Sequence, residues 1–281
     1  MQKLLILGRG QIGSALAQAL SEFEIHVWPN DIDELSQEAI ETIAPEAIIN
    51  AAGKTDLAWC EANANEAVRS NMEAPIRLYE RILAHNRDRS DRIRFIQFSS
   101  GCVWDGPYND RGEPFGPYDP PTPACLYSWT KAAADAMLLS IDANQVAVLR
   151  ARQVYSSASD ARNTLVKLSR YPRLIDTPNS MTSMTTIEKM VRHVLMNEDW
   201  AGIWNVYDRG VVTPFEVGEM LFEAGLCSRP GHLSKEELDQ FHHPKRVDVV
   251  LFDARFEAVV NPPKAHDELE RAINHLSPIL A

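Results

Sequence analysis

Positive charge is in short supply in this chain. Its 281 residues hold 28 lysines and arginines against 39 aspartates and glutamates, a formal net charge of −11. That balance argues against nucleic acids and anionic membranes as partners, while leaving room for one local basic pocket for a small anion. Cysteine is scarce as well. Cys60, Cys102, Cys125 and Cys227 have neither the spacing of a metal site nor the look of a paired framework. They read as reduced thiols, which predicts a cytoplasmic protein. His242 and His243 are adjacent but have no third ligand nearby, so they read as surface residues and no metal is expected. No run is long and apolar enough to span a bilayer. The opening apolar run is too short for a signal peptide and leads straight into glycines. Internal repeats and low-complexity tracts are absent.

What is present is ordinary in bulk and specific in detail. Hydrophobic residues make up 45% of the chain, a globular value. The length allows one large domain, or a domain with a smaller lobe. Lys3–Leu7 is a short apolar run, the pattern of a buried parallel strand. Gly8-Arg9-Gly10-Gln11-Ile12-Gly13 follows at once, and Ser14–Leu20 then reads as a helix. Strand, G-x-G-x-x-G and helix in that order form a dinucleotide-binding fingerprint. Gly8 allows the tight turn, Gly10 lets the backbone approach a pyrophosphate, and Gly13 lets helix and strand pack closely. The helix N-terminus offers N–H groups and a positive dipole end to the phosphates.

Glu24–Trp28 is the expected second strand. NAD sites usually place an acid at its end, for the adenosine ribose hydroxyls. Here the chain reads Val27-Trp28-Pro29-Asn30-Asp31, with no acid in that place. Arg9, inside the glycine loop, either meets a 2′-phosphate or points to solvent. The expected cofactor is NADP in preference to NAD. Asp31 either lies near the adenine or caps a helix over 33–43. A strand over Glu46–Gly53 ends in Ala51 and Ala52, small enough to leave room for a cofactor at the sheet edge. Helical pattern over 66–84 is interrupted at Asn71 and Pro75. Arg94–Ser100 is a further strand. Ser100, at its end, can hydrogen-bond and polarise a substrate carbonyl, or cap the next turn.

A long loop then runs to Pro123, carrying Trp104, Tyr108, Phe115 and Tyr118, and loops that long are usually functional or disordered. It ends at Leu126-Tyr127-Ser128-Trp129-Thr130-Lys131, which opens an alanine-rich helix. On a helix Tyr127 and Lys131 share a face one turn apart. A cation beside a phenol lowers its pKa toward the range where proton transfer is useful.

The order of these segments resembles the extended short-chain dehydrogenase/reductases, and within them the dTDP-4-dehydrorhamnose reductase branch. Asn50-Ala51-Ala52-Gly53-Lys54-Thr55 matches that branch's Asn-Ala-Ala-x-x-Thr, and Asn71 to Pro75 its Asn-x-x-x-Pro. Ser99-Ser100-Gly101-Cys102-Val103-Trp104-Asp105-Gly106 matches Ser-Thr-Asp-Tyr-Val-Phe-Asp-Gly loosely. Tyr127 to Asp135 matches Tyr-x-x-Ser-Lys-x-x-x-Glu, and Leu149 to Tyr155 matches Leu-Arg-x-x-x-Val-Tyr. Three places depart from the pattern. The glycine loop is one residue shorter, Gly101-Cys102 replaces Asp-Tyr, and Lys54 replaces a tyrosine. The last two changes fall where the resemblance places the substrate, while the Ser/Tyr/Lys set is intact.

The resemblance implies an α/β fold: a Rossmann-like doubly wound parallel sheet with a smaller C-terminal substrate lobe. Residues 1–155, with 187–224 returning, are expected in the dinucleotide-binding domain, and 156–186 and 225–281 in the lobe. It implies reduction of a ketone on a sugar or nucleotide-sugar, with Tyr127 as proton donor, Ser100 on the carbonyl oxygen, and Lys131 on the tyrosine and the nicotinamide ribose. Trp104 and Arg150 are expected at the substrate. Lys245 and Arg246 are candidates for its diphosphate, since paired cations suit phosphate oxygens, or form an exposed basic turn. A homodimer by helix packing is common in the superfamily. Two alternatives stay open: a same-fold epimerase or dehydratase, and a non-catalytic regulatory or binding subunit. Further expected elements are a helix from a Thr213–Glu216 capping box to Ala224, a strand over 247–252 and a closing helix over 268–276.

Overall fold

The computed structural model describes residues 2–87, 89–90, 92–241 and 243–276. The first half alternates strand and helix: β1 (Lys3–Leu7), α1 (Gln11–Ala19), β2 (Glu24–Trp28), α2 (Gln37–Ile43), β3 (Ala47–Asn50), α3 (Leu57–Ala62), α4 (Ala64–Val68), α5 (Ala74–Asn86), β4 (Arg94–Ser100), α6 (Leu126–Asp142) and β5 (Val146–Ala151). The second half follows with β6 (Val154–Tyr155), α7 (Thr164–Leu168), β7 (Arg173–Ile175), β8 (Thr182–Ser183), α8 (Met184–Met196), β9 (Gly202–Val206), α9 (Pro214–Glu223), β10 (Gly231–Leu233), α10 (Lys235–Phe241), α11 (Ala254–Val260) and α12 (Ala265–Asn274).

Six strands form one parallel sheet in the order β2-β1-β3-β4-β5-β9. Its inner strands are mostly apolar on both faces because both faces are covered, while the edge strand β2 is only partly buried. Leu4 and Ile6 pack with Ile187, Met190 and Val194 of α8 on one side. Leu5 and Leu7 pack with Leu78, Tyr79 and Ile82 of α5 on the other. The strand order reverses between β1 and β3, and crevices for ligands open at the carboxyl ends of strands at such a point. A third apolar cluster joins Leu165, Leu174, Val217, Leu221, Leu269 and Ile273, away from the sheet.

The expected doubly wound sheet is present, and its strands begin and end within a few residues of where the apolar runs do. The helix break at Asn71 is a π-helical turn, Arg69–Glu73, and Pro75 sits in the first turn of α5. The Thr213 box forms as expected: Thr213 Oγ1 accepts from the Glu216 amide at 3.1 Å, and the Glu216 carboxylate accepts from the Thr213 amide at 2.7 Å.

Two expectations fail. Residues 247–252 form no strand. They are extended and mostly buried, but they pair with the long loop by single bonds, Phe115 N to Val250 O at 2.8 Å and Phe252 N to Phe115 O at 2.9 Å. Nor does Asp31 cap a helix. Ser36 caps α2 instead, accepting from the Ala39 amide at 3.1 Å, and Asp31 precedes a separate 3₁₀ turn, Ile32–Glu34, without a side-chain bond.

One buried ion pair fastens the long loop, α6 and β5 together. Arg150 Nε donates to Asp135 Oδ2 at 2.8 Å, and both side chains are nearly inaccessible. The guanidinium also donates to Pro117 O at 3.1 Å and lies 4.7 Å from the centre of the Trp104 ring. Losing one member of a buried pair leaves an uncompensated charge, which costs about 3–5 kcal/mol. Asp135→Ala is therefore expected to lower the unfolding free energy in urea by roughly that amount. Asp135→Leu combined with Arg150→Met is expected to recover the part that comes from Arg150, the Lys131 ammonium still lacking its carboxylate, and a double variant no more stable than Asp135→Ala contradicts the assignment.

Candidate active site

The long loop ends in prolines, which cannot be helical, and α6 begins immediately after it. Tyr127 and Lys131 stand one turn apart on its buried face, 8% and 5% exposed. The Tyr127 phenol lies beside Ser100 at the carboxyl end of β4, close enough for that hydroxyl to act on it. Lys131 Nζ donates to the Phe98 carbonyl of the same strand at 2.8 Å. The three expected catalytic residues are thus brought together by one strand end and one helix start.

The electrostatics differ from the expectation. Burial pushes the Tyr127 phenol above its ordinary range, the neighbouring Cys102 adds to the shift, and the Ser100 hydroxyl offsets part of it. Burial also lowers the Lys131 ammonium, against which the Asp135 carboxylate one turn further along α6 works. Lys131 is directed at a carbonyl of β4, so its charge is not spent on lowering the phenol. Three thiols surround this tyrosine, those of Cys60, Cys102 and Cys125.

The glycine loop lies at the carboxyl end of β1. Gly8 adopts φ +95°, and a Cβ there would sit 2.6 Å from the Ala52 amide nitrogen, so the loop rests on the Ala51-Ala52 segment. A Cβ on Gly13 would sit 2.0 Å from Gly8 O. Around Gly10 nothing lies within 4 Å of the added atom, and Gly10 begins α1 with no side chain capping its N–H groups. A tight turn, an open glycine and uncapped amides at a helix start suit a dinucleotide pyrophosphate. Gln11 Nε2 fixes the loop to Val154 O at 3.3 Å, while Ile12 packs into the core. Arg9 does not point freely to solvent: its Nη2 donates to Pro29 O at 2.7 Å, across the end of β2 where an adenosine ribose would lie. Asp31 is exposed just beyond. Arg162 contributes a contact that the sequence did not suggest, donating to Arg9 O at 3.0 Å.

On the substrate side the expected residues scatter. Trp104 is fully buried, stacked on Phe115 with ring centres 5.1 Å apart. Arg150 is held by Asp135. Both shape the wall rather than face a ligand, because their polar atoms are already used. Lys245 pairs with Asp105 at 2.8 Å, which holds its ammonium above the usual range and ties the chain after α10 to the long loop. Arg246 accepts a bond at its carbonyl from Lys235 and lies close enough to Lys167 to lower that ammonium, second to the effect of burial. Lys167 of α7 is exposed to solvent. His242 lies outside the described residues.

Four further residues, Gly101, Arg152, Asn71 and Asn50, were legible only in part. Gly101 is where the reductase branch carries an aspartate, and here Leu251 and Arg152 occupy that space: a Cβ would lie 3.2 Å from Leu251 Cδ1 and 3.4 Å from Arg152 Cβ. Arg152 is buried and donates to Cys102 Sγ at 2.9 Å and to Asn179 Oδ1 at 2.8 Å. Asn71 and Asn50 were visible as motif letters without a task. Asn71 bonds both the amide and the carbonyl of Lys54, at 2.8 and 2.9 Å, and so fixes the loop after β3. Asn50 donates to Gln97 at 2.8 Å, and Gln97 in turn donates to the same Phe98 carbonyl that holds Lys131.

Residues 1–276 match the family described as RmlD substrate binding domain. The chain belongs to this family. The resemblance to the dTDP-4-dehydrorhamnose reductase branch is borne out. A trifunctional UDP-glucose 4,6-dehydratase/UDP-4-keto-6-deoxy-D-glucose 3,5-epimerase/UDP-4-keto-L-rhamnose-reductase of Arabidopsis thaliana is 30% identical over 191 residues, 64% of this chain and 27% of the relative. A bifunctional dTDP-4-dehydrorhamnose 3,5-epimerase/dTDP-4-dehydrorhamnose reductase of the same plant is 30% identical over 192 residues, 64% of this chain and 60% of the relative. The matched family members are thus longer proteins of which this chain spans a part. Among solved structures, a UDP-rhamnose synthase of Acanthamoeba polyphaga mimivirus superposes with TM-score 0.86 at 21% identity, covering 97% of this chain and 99% of that one. A dTDP-4-dehydrorhamnose reductase of Bacillus anthracis in complex with NADP gives 0.81 at 20% identity, covering 96% and 98%. At such identities the structures establish the shared fold.

The raised phenol is directly measurable. In ultraviolet titrations of the cofactor-free protein, the phenolate signal that differs between wild type and Tyr127→Phe is expected only above the ~10 of a free tyrosine. A Tyr127-dependent phenolate below that pH contradicts the burial described above.

Proposed function

We propose that this chain is an NAD(P)H-dependent reductase of a ketone on a nucleotide-sugar, with NADPH preferred. The observation that carries the reading is the placing of Tyr127 beside Ser100, with Lys131 one turn along on the Phe98 carbonyl, at the same sheet edge as the glycine loop. Gly8, Gly10 and Gly13 would hold the pyrophosphate with the amides of Gln11 and Ile12, Ala51 and Ala52 would line the cofactor, and Arg9 would meet a 2′-phosphate. Lys131 would hold the ribose next to the nicotinamide. A bound nicotinamide supplies the hydride. Ser100 and Tyr127 both reach the carbonyl oxygen of a ketone set over them. Tyr127 gives that oxygen its proton and is reprotonated from solvent. A phenol kept protonated by burial suits the role of acid. Lys167 and Arg246 form the pair of cations that suits a sugar diphosphate, with Lys245 engaged at Asp105.

The mechanism asks Tyr127 for one positioned proton, a contribution of typically ~10²–10⁴ in rate. Tyr127→Phe is expected to reduce turnover by about that factor with cofactor affinity nearly unchanged. Turnover equal to wild type contradicts the assignment.

One observation favours a second activity in the same cleft. Two Arabidopsis relatives carry 3,5-epimerase in their names. A 4-ketone acidifies the hydrogens on its flanking carbons, and exchanging their configuration needs a base and an acid at the ring. Cys102 adjoins the Ser100–Tyr127 pair that would hold the ketone oxygen. Lys167 carries an ammonium that burial and Arg246 make readier to release its proton. A dehydratase fits less well, since no carboxylate follows Ser100 and Gly101 has no room for one. In heavy water without NADPH, a 4-keto-6-deoxy nucleotide-sugar is expected to gain deuterium beside the ketone, and Cys102→Ser to slow the exchange. A substrate that exchanges no faster than without protein removes this second reading and leaves the reductase intact.

A further inference from the structure

We propose that Cys102 is a covalent modification site, taking soft electrophiles and peroxides, because its sulfur faces the guanidinium of Arg152. The inference does not depend on either reaction proposed above.

The four cysteines stand in different surroundings. Cys60 and Cys125 are buried. Burial raises the Cys60 thiol to about 11, and its sulfur donates to Lys54 O at 3.6 Å. Cys125 Sγ lies 3.3 Å from Ser128 Oγ. Cys227 is partly exposed, but burial, and then Glu219, raise its thiol, and its sulfur donates to Gly218 O at 3.9 Å. Cys102 is partly exposed, and Arg152 Nη1 donates to its sulfur at 2.9 Å.

Arg152 is an unusual neighbour. It is 6% exposed and forms no ion pair among the described residues. Its other acceptors are neutral: Asn179 Oδ1 and the Val247 carbonyl. Its Nε is buried and has no acceptor. The nearest carboxylate on its bonding chain, Asp248, is taken by Asn179 Nδ2 at 2.8 Å and by Lys235 at 3.2 Å. A buried cation is normally paired. Here its remaining partner is the Cys102 sulfur. Guanidinium groups beside a partly exposed sulfur mark the reactive cysteines of proteins, while sulfurs in apolar surroundings stay inert. Gly101 adjoins the arrangement: a Cβ there would touch the Arg152 stem at 3.4 Å and crowd Leu251 Cδ1 at 3.2 Å.

The chemistry closes without a further group. With a haloacetyl reagent the sulfur forms a bond to carbon, the carbon–iodine bond breaks, iodide leaves and the thiol proton passes to water. With hydrogen peroxide the sulfur bonds one oxygen as the O–O bond breaks; sulfur is oxidised by two electrons, peroxide is reduced, and water leaves, giving a sulfenic acid. Either product places new atoms beside Ser100 and Tyr127.

The test uses the folded full chain and two reagents of nearly equal size, neutral iodoacetamide and anionic iodoacetate, with the label located by peptide mass mapping. Cys102 is expected to label first with both. A neighbouring unit charge at contact distance is worth about 1 kcal/mol in water, so the iodoacetate-to-iodoacetamide rate ratio at Cys102 should exceed that at Cys227 by roughly three- to tenfold. Arg152→Met, if folded by circular dichroism, should bring the ratio down to that of Cys227. The wild-type comparison stands alone if that variant does not fold. Equal ratios at the two sites, or a Cys102 that labels no faster than Cys227, overturns the proposal.

Discussion

An ammonium has been carried into the interior of this protein, and much of the surrounding structure exists to keep it there. Lys131 is 5% exposed. A buried charge is expensive unless it is hydrogen-bonded and balanced. The balance comes from the Phe98 carbonyl on β4 and from Asp135, one turn along α6. Asp135 is itself held by Arg150 of β5, and Arg150 reaches the long loop through Pro117 O and the face of Trp104. This chain of alternating charges joins two strands, a helix and a loop. It fixes the start of α6, and with it the position of Tyr127 over Ser100.

A second constraint acts at the other end of the crevice. The glycine loop is pressed onto the segment after β3 so closely that neither Gly8 nor Gly13 has space for a side chain, while Gly10 is open on its outer side. Closeness on the inside and space on the outside are what a flexible-backbone residue can supply and a larger one cannot. Asn71, in a π-helical turn, then holds the neighbouring Lys54 segment through both its backbone groups. The glycine loop and the Tyr127–Lys131 pair are thereby set against the same sheet edge by separate devices.

The sheet was readable in advance because a strand buried on both faces announces itself as a short apolar run, as β1, β3, β4 and β5 do. The grouping of Ser100, Tyr127 and Lys131 was readable because Tyr127 and Lys131 are helix neighbours and Ser100 ends a strand. What escaped was set by contacts distant in sequence. Residues 247–252 have the apolar content of a strand but find only the irregular loop around Phe115 to pair with. Arg150 carries the letters of a ligand-binding residue, and only its distance to Asp135 shows it to be a structural ion. The tie between Cys102 and Arg152 crosses fifty positions, so no local pattern could reveal it. The environment of Tyr127 was misjudged for a related reason: spacing told of a cation one turn away, while burial and the direction of the Lys131 side chain decided its effect.

The central claim is that hydride and proton meet at one ketone in this cleft. The most direct measurement is the reduction of a 4-keto-6-deoxy nucleotide-sugar with NADPH, and then NADH, deuterated at the transferring position of nicotinamide C4, followed by mass spectrometry of the sugar. The account predicts an alcohol carrying deuterium at the former carbonyl carbon, formed faster with NADPH. A folded protein that binds neither cofactor, or a product without deuterium at that carbon, contradicts it.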